Sequence, residues 1–321
     1  MGDPSGIGPE VIAKAFAAQR PALRRRFLVL GDSSIMSGAK AALKLPLTLN
    51  RMRTFSPSSM KEGAMNLIDF ENVPRQGFSY GCEDRRYGKA SVEYMDAALD
   101  LLGHGKASAL VTGPVNKSSI TRSGIAFFGH TEYMAEKTKT KRFAMMLLGG
   151  RLRVTLVTRH VALKDVSRIL SIDLICRAIE LTYEALTTYF GIASPTIGVA
   201  GVNPHAGDFG LFGTEEEDVV IPAIRRASRR IAGLCGPRPP DAIFYEAHRN
   251  KYDAVVAMYH DQGLIPLKML YFDEGVNLTL GLPFIRTSPD HGTAFDIAGR
   301  GIASSRSMCE AMKLALELSG S

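Results

Sequence analysis

The sequence lacks most of the features that would give it a specialised way of folding or binding. Among its 321 residues there are only four cysteines, and Cys82, Cys176, Cys235 and Cys309 lie far apart with no CxxC spacing. A zinc ribbon and a disulfide scaffold are therefore excluded, and the expected compartment is a reducing one. No apolar run approaches the roughly 18 residues of a membrane span. The amino end lacks the charged-then-apolar order of a secretion signal, so the expected location is the cytoplasm. No repeat with a period of about 20 to 50 residues appears, and no low-complexity linker divides the chain. The formal charge is +7, yet there is no basic tail and no basic stripe interleaved with aromatics, which argues against a nucleic-acid partner. Arg24-Arg25-Arg26, and Arg225-Arg226 with Arg229-Arg230, read as solvated helix faces. Also lacking is a strand ahead of the glycine-rich turn that opens at Gly2, where an α/β protein normally supplies one. The expectation is that a first strand is missing here.

What is present is apolar material, 45% of the residues, enough for a large core in two domains or one. Short β-branched or apolar runs alternate with longer amphipathic segments, the pattern of βα units in a mainly parallel sheet covered on both sides. The runs 27–31, 109–112, 145–148, 154–158, 196–200, 254–259, 276–280 and 284–287 predict strands. Apolar spacing predicts helices over 91–102, 172–189, 215–231 and 305–318. Glycine-rich, polar-tipped loops follow nearly every strand, where open α/β sheets place their ligands.

Three of the seven histidines share one setting, a strand-like run followed by a loop of small residues: His160 in LVTRH, His205 in GVNPHAG and His260 in VVAMYHDQG. Strand ends of one sheet can aim three imidazoles at a common point. Three neutral imidazoles with open coordination positions suit zinc or a similar divalent ion. His130 differs, because Gly129-His130-Thr131-Glu132 opens a helical segment whose first N–H groups lack intrahelical partners. Two readings of it stay open: an anion site, or Thr131 as a simple cap. His291 lies in the glycine-rich SPDHGTAFD, while His104 and His248 sit in polar surroundings and receive no role.

The opening GDPSGIGPE lacks the third glycine of the dinucleotide fingerprint and its upstream strand. The later HGTAFDIAGRGIA, residues 291–303, resembles the loop by which isopropylmalate and isocitrate dehydrogenases grip the adenosine half of their cofactor. Taken in order, GDPSGIGPE, VTGPVNK, GHTEYMAE, GVNPHAG with GTEE, AMYHDQGLIPLK and GVNLTLGLPFIRTSPDHGTAFDIAG resemble the successive signature segments of the 4-hydroxythreonine-4-phosphate dehydrogenase family. The match runs from Gly2 to about Ala303 and is weakest over 45–85 and the last helix.

The resemblance implies a two-domain α/β/α fold similar to isocitrate and isopropylmalate dehydrogenases. The expected division is 1–125 with 271–321 as a domain carrying the cofactor loop, and 126–270 as a second with metal and dimer contacts. It implies a homodimer whose active site is shared between subunits. It implies divalent metal on His160, His205 and His260, and substrate on His130, Thr131, Lys268, Asn277 and Arg286. NAD falls to His291, Gly292, Thr293, Ala294 and Asp296. Asp296 favours NAD over NADP because its charge repels a 2′-phosphate, although Arg300 stands close by in sequence. Histidines in place of a magnesium-binding aspartate cluster favour zinc or cobalt over magnesium. Lys268, Asp241 and Asp261 are the candidate acid–base groups. The expected reaction is oxidation of 4-phosphooxy-L-threonine with decarboxylation. The rival readings are a sister dehydrogenase acting on D-threonate or D-erythronate 4-phosphate, a dihydrodiol dehydrogenase, and, in another class, a metal-dependent phosphohydrolase or aldolase.

Overall fold

The computed structural model describes residues 1–73 and 76–320. They separate into two compact units, one made of 1–137 and 287–316, the other of 138–286 and the residues from Glu317 onward. The architecture is mixed α/β with mainly parallel strand pairing.

The first unit contains β1 (Leu28–Gly31), β2 (Thr48–Met52), β3 (Ala64–Asp69) and β4 (Ala109–Val111). β3 is the centre of a three-stranded parallel sheet, with Leu28 of β1 opposite Asn66 and Thr48 of β2 opposite Ala64. β2 and β3 escaped the pattern reading because TLNRM and AMNLID set Asn, Arg and Asp among their apolar residues. Their buried asparagines satisfy one another, Asn50 Nδ2 donating to Asn66 Oδ1 at 2.8 Å. The helix Arg85–Gly103 starts where Asp84 accepts from the Arg86 N–H, and Tyr87, Ala90, Tyr94 and Ala98 line its buried stripe.

The second unit contains β5 (Ala144–Gly149), β6 (Leu152–Leu156), β7 (Ile197–Ala200), β8 (Leu234–Arg238), β9 (Ala254–Ala257) and β10 (Val276–Leu280), in the order β10-β5-β6-β9-β7-β8. β5 pairs antiparallel with β10 and β6, while β6/β9, β9/β7 and β7/β8 are parallel. The continuous apolar character of β7 and β9 follows from helices on both faces. Ile175 and Ile179 of the helix Ile172–Thr188 cover one side with Val199 and Val256. Phe244 and Leu264, from the helices Pro240–His248 and His260–Tyr271, cover the other with Val154 and Val255. β8, LCGPR, was hidden by Gly236 and Pro237, and such residues are tolerated because it is the last strand of that order. The chain returns to the first unit through β11 (Ile285–Pro289).

The crossings after 137 and 286 lie later than the 125 and 270 expected from sequence. Tyr133 Oη donates to Asp96 at 2.7 Å, tying the helix His130–Lys137 to the first unit, and β10 pairs along its length with β5. Among the described residues no helix is long and apolar enough to cross a membrane.

Candidate active site

β6, β9 and β7 are parallel neighbours, so their carboxyl ends stand side by side at about 4.8 Å spacing. Pairing continues past β6, with Val157 N–H donating to Ala257 O at 2.9 Å and Thr158 N–H to Met258 O at 3.1 Å. The next turns place the His160 and His260 rings 5.7 Å apart, centroid to centroid. Gln262, which sequence reasoning missed, ties the ends of β9 and β7 together. Its Oε1 accepts from Met258 N–H and its Nε2 donates to Gly201 O, each at 2.7 Å. The only sequence signal for it was a polar residue in the first turn of a helix whose position 262 faces inward.

The donor chemistry of the pair fits a divalent cation. His260 Nδ1 lies 2.7 Å from Asp261 Oδ1, so a proton on Nδ1 shared with that carboxylate leaves the Nε2 lone pair available. With metal–nitrogen bonds of about 2.0–2.1 Å, two imidazoles on one tetrahedral ion have centroids roughly 5.3 Å apart, close to the observed separation. Both rings line a cleft of about 1060 Å³ within the second unit, together with Asp241, Asp261, Arg159 and Tyr245. His248, given no role from sequence, lines it too. His205 is not brought into this group. Its ring lies 6.0 Å from that of Phe212, and among the described residues of the single chain no three His, Cys, Asp or Glu side chains form a metal-binding cluster.

The backbone that carries His205 is unusual. Residues 205–210 all have positive φ, from 43° at Asp208 to 87° at Gly210, and His205, Ala206, Asp208 and Phe209 are not glycine. Left-handed backbone costs an L-residue roughly 1–2 kcal/mol, and such strain concentrates at functional sites. Phe209 and Leu211 at its tip are 98% and 72% exposed.

The expected substrate residues are distributed over both units. In the second, Lys268 is half-buried on the helix His260–Tyr271. Arg286 is buried, its Nη1 donating to Thr279 Oγ1 at 3.2 Å. Asn277 Oδ1 on β10 is buried without a hydrogen-bond partner among the described residues. An unsatisfied buried acceptor costs about 1–3 kcal/mol, which a donor on a bound molecule recovers. In the first unit, His130 opens the helix His130–Lys137 against the Phe127 ring, and Thr131 is buried behind it.

The 291–303 loop, also in the first unit, is a succession of tight turns. Ile297 N–H donates to Ala294 O and Arg300 N–H to Ile297 O, with positive φ at Ala294, Gly299 and Gly301. It is fastened from the helix Gly8–Ala18, where Glu10 Oε2 accepts from Gly301 N–H at 3.1 Å. Lys14 Nζ donates to Gly301 O and Ala303 O at 2.8 and 2.6 Å. Gly299 is required where it stands, since a Cβ there would lie 2.6 Å from the Tyr80 ring. Thr293 O accepts from Ile7 N–H, whereas the Asp296 side chain is exposed. At the helix Ser33–Ala42, which follows β1, the first N–H is already taken, Asp69 Oδ1 accepting from Ser33 N–H at 3.0 Å.

The family model of the pyridoxal phosphate biosynthetic protein PdxA matches residues 23–315. The chain belongs to the PdxA family. It is 45% identical over 318 residues to a 4-hydroxythreonine-4-phosphate dehydrogenase of Desulfosudis oleivorans, covering 99% of this chain and 94% of that protein. It is 44% identical over 319 residues to a D-threonate 4-phosphate dehydrogenase of Cupriavidus necator, covering 99% and 95%. The crystal structure of the 4-hydroxythreonine-4-phosphate dehydrogenase from Klebsiella pneumoniae superimposes with a TM-score of 0.89 at 40% identity, covering 99% of this chain and 98% of that one. This PdxA-family chain is an oxidoreductase.

Proposed function

We propose that the chain oxidises 4-phosphooxy-L-threonine with NAD, with NADP as the alternative acceptor, and releases carbon dioxide and 3-amino-2-oxopropyl phosphate as a step toward pyridoxal phosphate. The observation that carries this reading is the pair of imidazoles at the ends of β6 and β9, with a carboxylate holding one of them, in a chain of this family. The hydroxyl-bearing carbon gives its hydride to the nicotinamide and its hydroxyl proton to a base, and the resulting β-keto acid loses its carboxylate as carbon dioxide while its α-carbon takes up a proton.

His160, His205 and His260 would hold a divalent ion, zinc, cobalt or magnesium, which when bound would supply Lewis acidity to the oxidation and the decarboxylation. Asp261 fixes the His260 ring so that its lone pair faces the cleft. Lys268, Asp241 and Asp261 are the groups from which the base is drawn. Arg286 and Lys268 provide positive charge for carboxylate and phosphate. Asn277 can accept from and donate to a hydroxyl or amine, and His130 with Thr131 holds the phosphate end. Backbone and the Asp296 carboxylate of 291–303 receive adenosine, with His291 and Gly292 at its entrance.

The proposed assembly is a homodimer in the reducing cytoplasm, with the histidine set completed between copies. Exposed Leu163, Tyr245, Ile265 and Met269 rim the cleft, and Phe209 and Leu211 project from the His205 turn. Apolar surface of this extent marks an interaction face. The sister reading has D-threonate or D-erythronate 4-phosphate as substrate, and the Cupriavidus relative favours the D-threonate form. The test is NADH absorbance with each phosphorylated acid and with zinc, cobalt or magnesium. Turnover of 4-phosphooxy-L-threonine at tenfold or greater kcat/KM over the others supports the main reading. Preference for a sugar acid phosphate replaces it with the sister activity, and absence of NAD reduction with all of them moves a phosphohydrolase or aldolase ahead.

A further inference from the structure

We infer that Glu216 is a positioning residue that holds the left-handed turn 205–210 in the conformation that presents His205. The inference rests on the reading of His205 as a metal ligand. Six consecutive residues at positive φ are not a conformation that HAGDFG, with four non-glycine residues, takes by its own preference. Something outside the turn must hold it. Glu216 is 2% exposed, and its carboxylate sits beneath the start of the turn. Oε1 accepts from the N–H groups of Val202 and Asn203 at 2.7 and 2.8 Å, and Oε2 accepts from Asn203 Nδ2 at 2.9 Å. Asn203 Nδ2 also reaches Glu215 Oε2 at 2.7 Å.

The surrounding backbone is shaped around this carboxylate. A Cβ at Gly201 would stand 2.9 Å from Oε1, and one at Gly207 would stand 2.8 Å from Oε2. The carboxylate thus lies close to the backbone once before His205 and once after it, and at Gly201 an added Cβ would also meet Ala206 Cα at 2.8 Å and Cβ at 2.9 Å. Glu216 enters from the first residue of a π-helical turn, Glu216–Val220, a local widening that often accompanies functional positions. No cation pairs with Glu216 among the described ion pairs. Its negative charge is met by three N–H donors of Val202 and Asn203, the residues that lead into the turn, so the site is organised for that approach and not as a surface ion pair.

The variants to test are Glu216→Gln, which keeps volume but turns one acceptor into a donor facing Asn203 Nδ2, and the double variant with Ala206→Gly. Cobalt(II) alone serves as probe on the full-length protein, with affinity read from its visible absorption. Hydrogen exchange at Val202 and Asn203 is read in the metal-free protein. Glu216→Gln is expected to weaken cobalt binding by 10- to 100-fold, the range for residues that orient ligands. Exchange at both amides should rise at least tenfold. Because glycine takes positive φ without a Cβ penalty, adding Ala206→Gly should recover at least threefold of the lost affinity, which a general loss of stability would not do. Cobalt affinity within twofold of wild type in Glu216→Gln, or absence of any recovery in the double variant, overturns the inference. Should Glu216→Gln not fold, Asn203→Ala carries the test, with a three- to fivefold loss expected and less than 1.5-fold overturning it. His205→Ala is the separate control: unchanged cobalt binding there sinks the metal reading itself, whereas its loss there combined with retention in Glu216→Gln sinks only the role of Glu216.

Discussion

The Asp3 carboxyl makes the first unit's stability depend on pH in a direction opposite to that of most carboxylates. Asp3 is completely buried, where the opening loop meets Pro114, Ser5 and the 82–84 segment. Its Oδ1 accepts from Ser5 N–H and Oγ at 2.9 and 2.8 Å, and its own N–H donates to Pro114 O at 2.8 Å. Burial raises its pKa to about 6, against the partial relief of the Ser5 and Asn116 hydrogen bonds and with a further push from Asp84. A folded pKa above the unfolded value of 3.8 means that the native state binds the proton more tightly. The favourable contribution is full below the unfolded pKa and is lost as pH rises through about 6. A shift of about two units amounts to about 3 kcal/mol, of which roughly 2 kcal/mol falls between pH 4.5 and 8. Asp3→Asn removes the titration and leaves an oxygen for Ser5. Urea midpoints of wild type and variant at pH 4.5 and 8 are the assay. Relative to wild type, the variant should gain about 2 kcal/mol on going from the lower to the higher pH. A stability difference that is the same at the two pH values would refute the argument, because the carboxyl would then ionise alike in the folded and unfolded chains.

Three further outcomes follow from the site. If the histidine set is shared in a homodimer, inactive His205→Ala and His260→Ala proteins refolded together in equal amounts should regain about a quarter of wild-type activity, since about half of the dimers are mixed and each mixed dimer carries one intact site of two, and mixtures that stay inactive exclude that sharing. Lys14→Met, which removes the two hydrogen bonds to Gly301 and Ala303, should raise KM for NAD about fivefold, on the scale of two hydrogen bonds of about 1 kcal/mol partly compensated by water. Lys14→Arg should restore most of it, and equal KM values for all three proteins would show that this end of the loop does not touch the nucleotide. Arg286→Ala, which empties a buried guanidinium position, should raise the substrate KM by at least tenfold while cobalt content stays unchanged, and a variant that loses metal as well would reassign Arg286 to the metal site.

The sequence made the sheet interior legible because buried parallel strands have a simple signature. IGVA and AVVA stand out against polar loops, so the histidine that follows each can be placed beyond a strand end before any coordinates. TLNRM and AMNLID did not stand out, since their buried Asn50 and Asn66 pair with each other, and no one-dimensional pattern announces such a partnership. The pairing of His160 with His260 likewise depends on β6 and β9 being neighbours, although 100 residues separate them. His248 read as a surface residue because only the fold turns the helix Pro240–His248 toward the cleft.

The least legible feature was the one on which the His205 position most depends. The string NPHAGDFG looks like any loop of small residues, and the chemistry of Ala and Phe argues for right-handed or extended backbone there. The observed left-handed run is dictated from Glu216, nine residues beyond Gly207 in a helix predicted only as packing. A local preference is overridden next to a buried carboxylate whose three donors lie at Val202 and Asn203, just ahead of the left-handed run. This is the conflict between local and global specification expected at functional positions in an otherwise consistent fold. It follows that substitutions favouring the left-handed region at 206 or 208 should stabilise the second unit while leaving the site intact, which makes the strain separable from the function it supports.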